Sequence, residues 1–245
     1  MSTLFDLAFA DSEALRARAL VVHERLCKAY GCPIAYFSDK DPLSELVSAL
    51  LSHRTKNADS GRAYQSLRTR FPTWEGVIEA PTDEVEAAIS AATWPEQKAP
   101  RIQHVLRAIR DTPETDGLSL GALADWPAAK ARKWLERIKG VGPKTSAAVL
   151  LFSNLRIAAL PVDSHHHRVA QRLGLIGENV AVGPSHDLLA DLLPADWDAQ
   201  TVYDHHEALM LHGQRCCYWR NPACERCPVY DLCVWPGKKP RAEDE

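Results

Sequence analysis

Four cysteines near the end of the chain constrain its fold more than any other feature. They are spaced C-x6-C-x2-C-x5-C within one short segment, at Cys217, Cys224, Cys227 and Cys233. Thiolates this close together form a tetrahedral zinc site or an iron–sulfur cluster far more often than a set of disulfides. Paired zinc knuckles usually have two short C-x2-C arms, and this segment has one. The spacing therefore favours an iron–sulfur cluster over zinc.

The other three cysteines, Cys27, Cys32 and Cys216, are predicted to be free thiols. An odd total of seven cysteines and an N-terminus without the layout of a secretion signal predict a reducing, cytoplasmic compartment. No apolar run approaches the ~20 residues of a membrane span, so no membrane partner is expected. Cys216 competes with Cys217 as a metal ligand, but only Cys217 gives the six-residue gap.

Apolar residues recur with helical spacing along almost the whole chain, which predicts an all-α fold. Glycine and proline pairs separate the segments and act as stop signals. The length of 245 residues allows one large domain or two small ones. The predicted helices are 13–29, 43–51, 58–70, 83–92, 98–110, 127–138, 143–153, 164–173, 185–193 and 199–212.

A tight turn between two predicted helices gives the second chemical signal. Gly140 and Gly142 permit positive φ and bring backbone N–H groups to the surface, while Val141 between them is expected to anchor the turn in the protein. The helix that follows adds free amides and a partial positive charge. Such a turn can bind one backbone phosphate of DNA without reading its sequence, or it can be a plain connection between packed helices.

Two side chains near this turn are candidates for chemistry. Lys144 lies in the first turn of the second helix, where its charge opposes the helix dipole, so a functional reason for it is worth testing. It is either an amine nucleophile or a point charge on a phosphate. Asp163 follows a proline-stiffened loop and is predicted to cap the next helix, and a carboxylate aimed in this way can also act in a reaction.

The overall charge does not favour a nucleic-acid partner. The formal net charge is −3 and the sequence pI is about 6.4. This counts against a nucleic-acid binder, although contacts with phosphate depend on the facing surface rather than on the total charge.

Several motifs taken together resemble one known family. Residues 138–149 followed by 160–169 resemble the helix-hairpin-helix and Gly/Pro-Asp motif of DNA glycosylases. The cysteine segment has the spacing of the 4Fe–4S loop in the endonuclease III branch. Leu50-Leu51-Ser52 and Trp94…Lys98-Ala99 also resemble that branch, in the expected order, and the match spans roughly residues 40–235.

The resemblance implies a fold in two lobes. Residues 35–156 would form a six-helix barrel lobe that contains the helix-hairpin-helix, and residues 1–34 with 157–235 would form the iron–sulfur cluster lobe. Residues 236–245 would be a flexible tail. DNA would lie in the cleft between the lobes, with Lys144 and Asp163 facing each other at its mouth.

The resemblance also implies roles for particular residues. Lys144 would attack C1′ of the damaged nucleotide, and Asp163 would assist by taking a proton or by stabilising the cationic sugar. A Schiff base with the opened sugar would then permit β-elimination and nick the strand. The adenine-mismatch branch usually has serine at the lysine position, so lysine points to a bifunctional glycosylase and AP lyase. The four cysteines of the C-terminal segment would ligate a 4Fe–4S cluster.

Departures from the family cluster at the surface that is expected to read the damaged DNA. Arg54 stands where glutamine is expected, and Asn57 stands where aspartate is common. Trp94 either stacks on a base as a second filler of the gap or is a core aromatic residue. The predicted DNA-binding residues are Gly140, Val141, Gly142, Lys139, Arg54, Trp94 and His165.

His166 and His167 replace apolar residues that are usual in the family. A run of three histidines suggests a metal site, but consecutive helical residues point about 100° apart and cannot converge on one ion.

The features together predict a monomeric enzyme that excises damaged bases, oxidised pyrimidines above all, from double-stranded DNA and nicks the abasic site in base excision repair. Because the departures cluster at the damage-reading surface, altered or weakened substrate choice is expected. Two alternatives remain open at the level of sequence. One is a non-catalytic binder of abasic or distorted DNA, and the other is a glycosylase for alkylated or mismatched bases.

Overall fold

The computed structural model describes residues 4–241, and within that range every regular element is helical, which confirms the all-α fold class. None of the helices between Leu4 and Arg241 is both long enough and apolar enough to cross a membrane. The α-helices are α1 (Leu4–Tyr30), α2 (Pro42–Ser52), α3 (Asn57–Arg70), α4 (Trp74–Glu79), α5 (Thr82–Ala88), α6 (Pro95–Arg110), α7 (Ala128–Glu136), α8 (Pro143–Phe152), α9 (Ser164–Arg172), α10 (Val182–Ala190) and α11 (Ala199–Arg215).

Each helix predicted from the sequence has a counterpart, and the differences lie at the ends and in one short element. Helix α1 begins at Leu4 rather than at residue 13, and α5 ends at Ala88 rather than at residue 92. Helix α4 was not predicted, because its six residues are too few to show a helical period. Its start is marked instead by Thr73, whose side chain accepts a hydrogen bond from the N–H of Gly76.

The chain divides into two compact units. The internal unit is Phe37–Ala159, and the terminal unit combines the two ends of the chain, up to Tyr36 and from Leu160 onward. Of the tail for which flexibility was predicted, residues 242–245 lie outside the described range.

Helix α8 forms the centre of the internal unit. All of its residues from Thr145 to Phe152 are buried, and it packs against α2 and α7. A helix that is covered all round has to lie inside the core, so only its first turn is left at the surface. Gly142 and Lys144 are accordingly exposed, which places the candidate lysine at the one accessible end of a rigid element.

Helix α11 has the same central role in the terminal unit. It packs against α9 on one side and α1 on the other, and its residues from Val202 to Leu209 are buried. The contact with α9 is close because Gly213 has no side chain. A Cβ atom at Gly213 would lie 2.8 Å from the Cβ of His165 and 3.2 Å from its Cα. The glycine therefore sets how near α11 approaches the first turn of α9.

The expectation of free thiols at Cys27 and Cys32 is wrong. A disulfide joins these two residues across the C-terminal end of α1, with their Cα atoms 4.9 Å apart. Helix α1 ends at Tyr30, and Gly31 has a φ of +81°, so the chain turns back and brings Cys32 beside Cys27. Helical periodicity carries no information about such a reversal beyond the helix end. Cys216 is free, as predicted.

Replacement of Gly213 by alanine is expected to destabilise the protein by about 1–3 kcal/mol, because the new methyl group has no room against His165. Chemical denaturation would measure the change. Gly61→Ala is the matched control: Gly61 also lies inside a helix, but a Cβ there meets nothing within 4 Å. That substitution is expected to stabilise the protein by about 0.5–1 kcal/mol. A loss of stability at both glycines would contradict the argument from close approach.

Candidate functional site

The glycine turn at the start of α8 adopts the geometry that its sequence favours. Gly140 has a φ of +103°, and Val141 is 5% exposed, which confirms that it anchors the turn in the core. Gly142 has a φ of −105° and occupies the N-cap position of α8. A Cβ at Gly140 would lie 3.1 Å from the Cγ of Arg101, so a larger residue would need that side chain to shift in addition to adopting a strained backbone conformation. Lys139 and Lys144 flank the turn and are exposed.

A histidine that the sequence did not single out ties this turn to a second loop. The Nε2 atom of His53 lies 3.1 Å from the Oγ1 of Thr145, in the first turn of α8. Burial and then the charges of Lys144 and Lys98 lower the pKa of His53 to about 4, so its ring is neutral at physiological pH. A neutral ring can accept or donate at Thr145 without adding another positive charge beside Lys144.

The loop that carries His53 is held by one buried ammonium group. Lys98 is 4% exposed, and its Nζ donates to the carbonyl of Leu51 at 2.7 Å, the carbonyl of His53 at 2.8 Å and the Oγ1 of Thr55 at 2.7 Å. Thr55 Oγ1 also accepts from the N–H of Thr93 at 3.1 Å. A buried cation needs such partners, and these partners fix the backbone on both sides of residue 54.

Arg54 and Trp94 lie side by side at the surface of the internal unit. Both have left-handed backbones, with φ of 52° and 54°, and the Arg54 guanidinium carbon is 5.9 Å from the centre of the Trp94 ring. Residues other than glycine seldom adopt this conformation, and those that do are worth testing for a function. Trp94 is 46% exposed, so the interpretation of this residue as a core aromatic is wrong.

Asp163, in the terminal unit, caps α9 as the sequence predicted. Its Oδ1 accepts from the backbone N–H of His166 at 2.7 Å, which fixes the direction of the carboxylate. The side chain is half-buried. Lys144 belongs to the internal unit and Asp163 to the terminal unit, and a shared role for them remains a prediction.

The three histidines after Asp163 turn to different partners. His165 Nδ1 lies 3.2 Å from Arg168, His167 Nε2 lies 2.8 Å from the carbonyl of Val180, and His166 is buried with its ring stacked on His206. This divergence follows from the helical rotation per residue. Their ring nitrogens therefore do not converge on one point.

The structure brings the C-terminal cysteines together. Cys216, Cys217, Cys224, Cys227 and Cys233 all line one small pocket, whose wall also includes Arg172 and Trp235. Its donors are thiols without a carboxylate, which is the soft ligand set that iron–sulfur clusters and zinc prefer. The side chains present therefore fit a thiolate-ligated centre at this position.

Two arginines of α9 support the first turn of this cysteine loop. Arg172 donates to Cys217 Sγ at 3.2 Å and to the carbonyls of Tyr218 at 2.8 Å and Trp219 at 3.1 Å. Arg168 donates to the carbonyl of Cys217 at 3.0 Å. A cation that donates to a sulfur favours its thiolate form, which is the form that binds iron.

Cys216 and Cys217 have different surroundings in this pocket. Cys216 Sγ donates to the carbonyl of Ala223 at 3.3 Å and belongs, with His212 and Cys227, to a group whose ligand atoms lie within 4.8 Å of one another. Cys217 is the one that receives the Arg172 hydrogen bond. Both thiols thus lie close enough to the pocket to be tested as ligands.

Comparison with known families adds to these observations. The profile described as HhH-GPD superfamily base excision DNA repair protein matches residues 47–193. The profile of the iron–sulfur binding domain of endonuclease III matches residues 220–233, which include three of the cysteines that line the pocket. An iron–sulfur centre is thus indicated by the family match and by the donor set together.

Curated relatives match most of the chain. A putative DNA glycosylase of Arabidopsis thaliana is 29% identical over 215 residues, which cover 86% of this chain and 71% of that protein. Endonuclease III of Escherichia coli is 26% identical over 224 residues, which cover 91% of this chain and 98% of that protein.

Solved structures show the same fold. A trapped covalent intermediate of endonuclease III with DNA gives a TM-score of 0.74 at 21% identity and covers 89% of this chain and 95% of that chain. A thermostable thymine-DNA glycosylase gives a TM-score of 0.67 at 20% identity and covers 94% of this chain and 98% of that chain. The prediction of a helix-hairpin-helix glycosylase fold is confirmed.

Replacement of Lys98 by methionine keeps the apolar stem but removes the donor from three oxygens. We expect a loss of about 2 kcal/mol or more in the free energy of unfolding and faster amide exchange at residues 52–55. Urea denaturation and hydrogen–deuterium exchange would measure both. Lys56→Met, at an exposed position of the same segment, is the control and should change neither. Unaltered exchange in Lys98→Met would show that the ammonium does not hold this loop.

Proposed function

We propose that this chain is a bifunctional DNA glycosylase and AP lyase. The proposal starts from its family, because the chain belongs to the HhH-GPD superfamily of base excision DNA repair proteins and is an endonuclease III-like member of it. The observation that carries the proposal is the exposed Lys144 at the accessible end of the buried helix α8, directly after the glycine turn. A rigid helix end fixes the position of an amine that has to approach one atom of a sugar.

Lys144 is the proposed nucleophile. Its Nζ attacks C1′ of the damaged nucleotide while the bond from C1′ to the base breaks and the base leaves with the bonding electrons. Opening of the sugar ring gives a Schiff base between Lys144 and C1′, and loss of a proton from C2′ then expels the 3′ phosphate by β-elimination. These steps need the lysine, the DNA, an acceptor for the protons lost from the amine and from C2′, and a donor such as water for the departing base and the ring oxygen.

Asp163 is the proposed partner in the first step. It accepts the proton that the lysine ammonium must lose, or it stabilises the positive charge that develops on the sugar as the base departs. The N–H of His166 donates the cap hydrogen bond that holds the carboxylate in one orientation. This supports a catalytic role, because such a role depends on the orientation of the carboxylate.

The remaining predicted residues are proposed to bind DNA. The turn Gly140–Gly142 and the first amides of α8 would hold one phosphate, with Lys139 beside it. The paired side chains of Arg54 and Trp94 would fill the gap that a flipped nucleotide leaves in the duplex, and this proposal rests on their exposed, left-handed and adjoining positions. His165 is proposed to lie near the same strand.

Oxidised pyrimidines in double-stranded DNA are the proposed substrates. The selectivity of the enzyme among these lesions is proposed to be altered or weakened. Relatives in the endonuclease III branch are expected to have glutamine where this chain has Arg54. An arginine adds a positive charge and five donors to the gap, so it changes which opposite base and which lesion are favoured. Excision of thymine glycol as efficient as that of a standard endonuclease III would count against altered choice.

The iron–sulfur centre is proposed to be a 4Fe–4S cluster with Cys217, Cys224, Cys227 and Cys233 as ligands. When bound, it supplies a covalent clamp across residues 217–233. Arg172 would then donate its hydrogen bond to a ligand sulfur, since it already donates to Cys217 Sγ. Arg215, Arg220 and Arg226 on and beside this loop would meet the DNA backbone.

Borohydride trapping tests the reaction directly. Wild-type protein is expected to cross-link to a duplex with an abasic site, because reduction makes the Schiff base permanent. Lys144→Ala is expected to lose cross-linking by about 100-fold or more, and Asp163→Asn is expected to bind the duplex but to excise a base about 100-fold more slowly. Gel analysis of cross-linked and nicked strands would measure both.

Lys133→Ala removes an exposed lysine from α7 and serves as the control for loss of one charge. Equal cross-linking by Lys144→Ala would remove Lys144 from the mechanism. Tight binding by the wild-type protein without any cross-link would instead favour a non-catalytic binder of abasic DNA, and excision without nicking would favour a monofunctional glycosylase.

Two neighbouring cysteines permit a matched test of the cluster. Cys217→Ser is expected to lose most of about four iron atoms per chain together with the visible absorbance, whereas Cys216→Ser should keep them. Metal analysis and an absorbance spectrum of each purified variant would measure this. A zinc-containing, colourless wild-type protein would contradict the iron–sulfur assignment, and loss of iron in Cys216→Ser alone would make Cys216 the ligand.

A further inference from the structure

Glu207 is a buried carboxyl group to which the proposed reaction gives no role. It lies on α11, and the residue is 8% exposed. Buried glutamate is unusual because removal of a charge from water is costly unless a cation or several donors compensate it. Its position beside the helix that begins at Asp163 makes it the strongest candidate for a function that the sequence did not predict.

The packing of α11 on α9 places the part of α11 that carries Glu207 beside the first turn of α9. Gly213 lets the two helices approach closely, and the ring of His166 stacks on that of His206 with their centres 5.6 Å apart and their Nδ1 atoms 3.4 Å apart. Glu207 follows His206 in the chain, and its Oε1 lies 4.0 Å from the Nε2 of that ring. The carboxyl group thus lies close to a ring that stacks on His166, the residue whose N–H donates to Asp163.

The groups around Glu207 decide whether a negative charge there is compensated. The titratable and charged groups in this part of α11 and on the helices packed against it are Asp163, His165, His166 and Arg168 at the start of α9, His23 on α1, and Asp204, His205 and His206 on α11 itself. Burial lowers the pKa of His166 well below its usual value and that of His205 to about 3, so both rings are neutral. Arg168 donates to the carbonyls of Gly213 and Cys217.

The balance of these groups favours the protonated acid. Burial first, and the negative charge of Asp163 second, raise the pKa of Glu207 to about 7. At slightly acidic pH Glu207 therefore adds no negative charge near Asp163, and at alkaline pH it adds one. A second negative charge beside Asp163 would repel a DNA backbone that approaches the same turn.

We propose that Glu207 is a positioning residue for the Asp163 site, protonated when duplex DNA is bound and opposed to binding when it is ionised. The inference rests on the proposed function, because it needs DNA to lie near Asp163. Binding is then linked to uptake of one proton, so affinity falls as the pH rises through the range in which the free protein loses that proton. Neutral Glu207 adds no second negative charge near Asp163.

The test is binding of a duplex that carries a tetrahydrofuran abasic analogue, which cannot form a Schiff base. We expect the Kd of the wild-type protein to rise by roughly threefold to tenfold between pH 6 and pH 8, measured by fluorescence anisotropy at fixed salt. Glu207→Gln imitates the protonated acid and should keep the affinity of the wild-type protein at pH 6 across the range. Glu178→Gln removes one exposed carboxylate of the same unit and should retain the wild-type slope.

Calorimetry of the wild-type protein at pH 7.5 in buffers of different ionisation enthalpy gives a second readout that does not depend on a variant. Uptake of a fraction of a proton on binding is expected, and no uptake would overturn the inference. The same pH dependence in Glu207→Gln as in the wild-type protein would also overturn it, while leaving the proposed function intact. Failure of the wild-type protein to bind the duplex even at pH 6 would overturn both.

Discussion

The hydrogen bonds of Arg168 and Arg172 are the constraint on which much of the terminal unit depends. Both arginines belong to α9, a helix of nine residues whose N-cap is Asp163. Their guanidinium groups donate to Cys217 and the residues after it. One short helix therefore carries the proposed catalytic carboxylate at its start and supports the cysteine loop along its side. Any change in that loop therefore acts on α9, the same helix that Asp163 caps.

Neutral histidines make up much of the layer between α9, α11 and α1. Within the described chain, His166 Nε2 and His205 Nδ1 have no hydrogen-bond partner, and each such buried atom costs about 1–3 kcal/mol. Because burial lowers the pKa of both rings, the unfolded chain binds protons below about pH 6.5 that the folded chain does not, so acid favours unfolding. Glu207 has the opposite effect between about pH 4.5 and 7, where the folded state binds the extra proton.

The sequence was sufficient where the chemistry is local. Helical periodicity predicted all the longer helices, and the glycines of the Gly140–Gly142 turn predicted its conformation. Asp163 caps α9, which could also be predicted because a cap is a contact over three residues. Prediction from the sequence failed where the two partners of a contact lie far apart in the chain. His53 meets Thr145 across 92 positions, and Lys98 meets Leu51 across 47, so no motif could connect them. The Cys27–Cys32 bond spans only five positions, but local sequence does not show it because the pairing depends on the reversal of the chain at Gly31.

The left-handed backbones of Arg54 and Trp94 have a consequence for how this surface can evolve. Each costs the folded protein about 1–2 kcal/mol that glycine at the same position would not. Lys98 and Thr55 hold that strain in place through the hydrogen bonds on either side of residue 54. A chain selected for stability alone would accumulate glycine here and lose both side chains. Persistence of arginine and tryptophan at these positions in a lineage would therefore record selection for activity against a constant thermodynamic disadvantage.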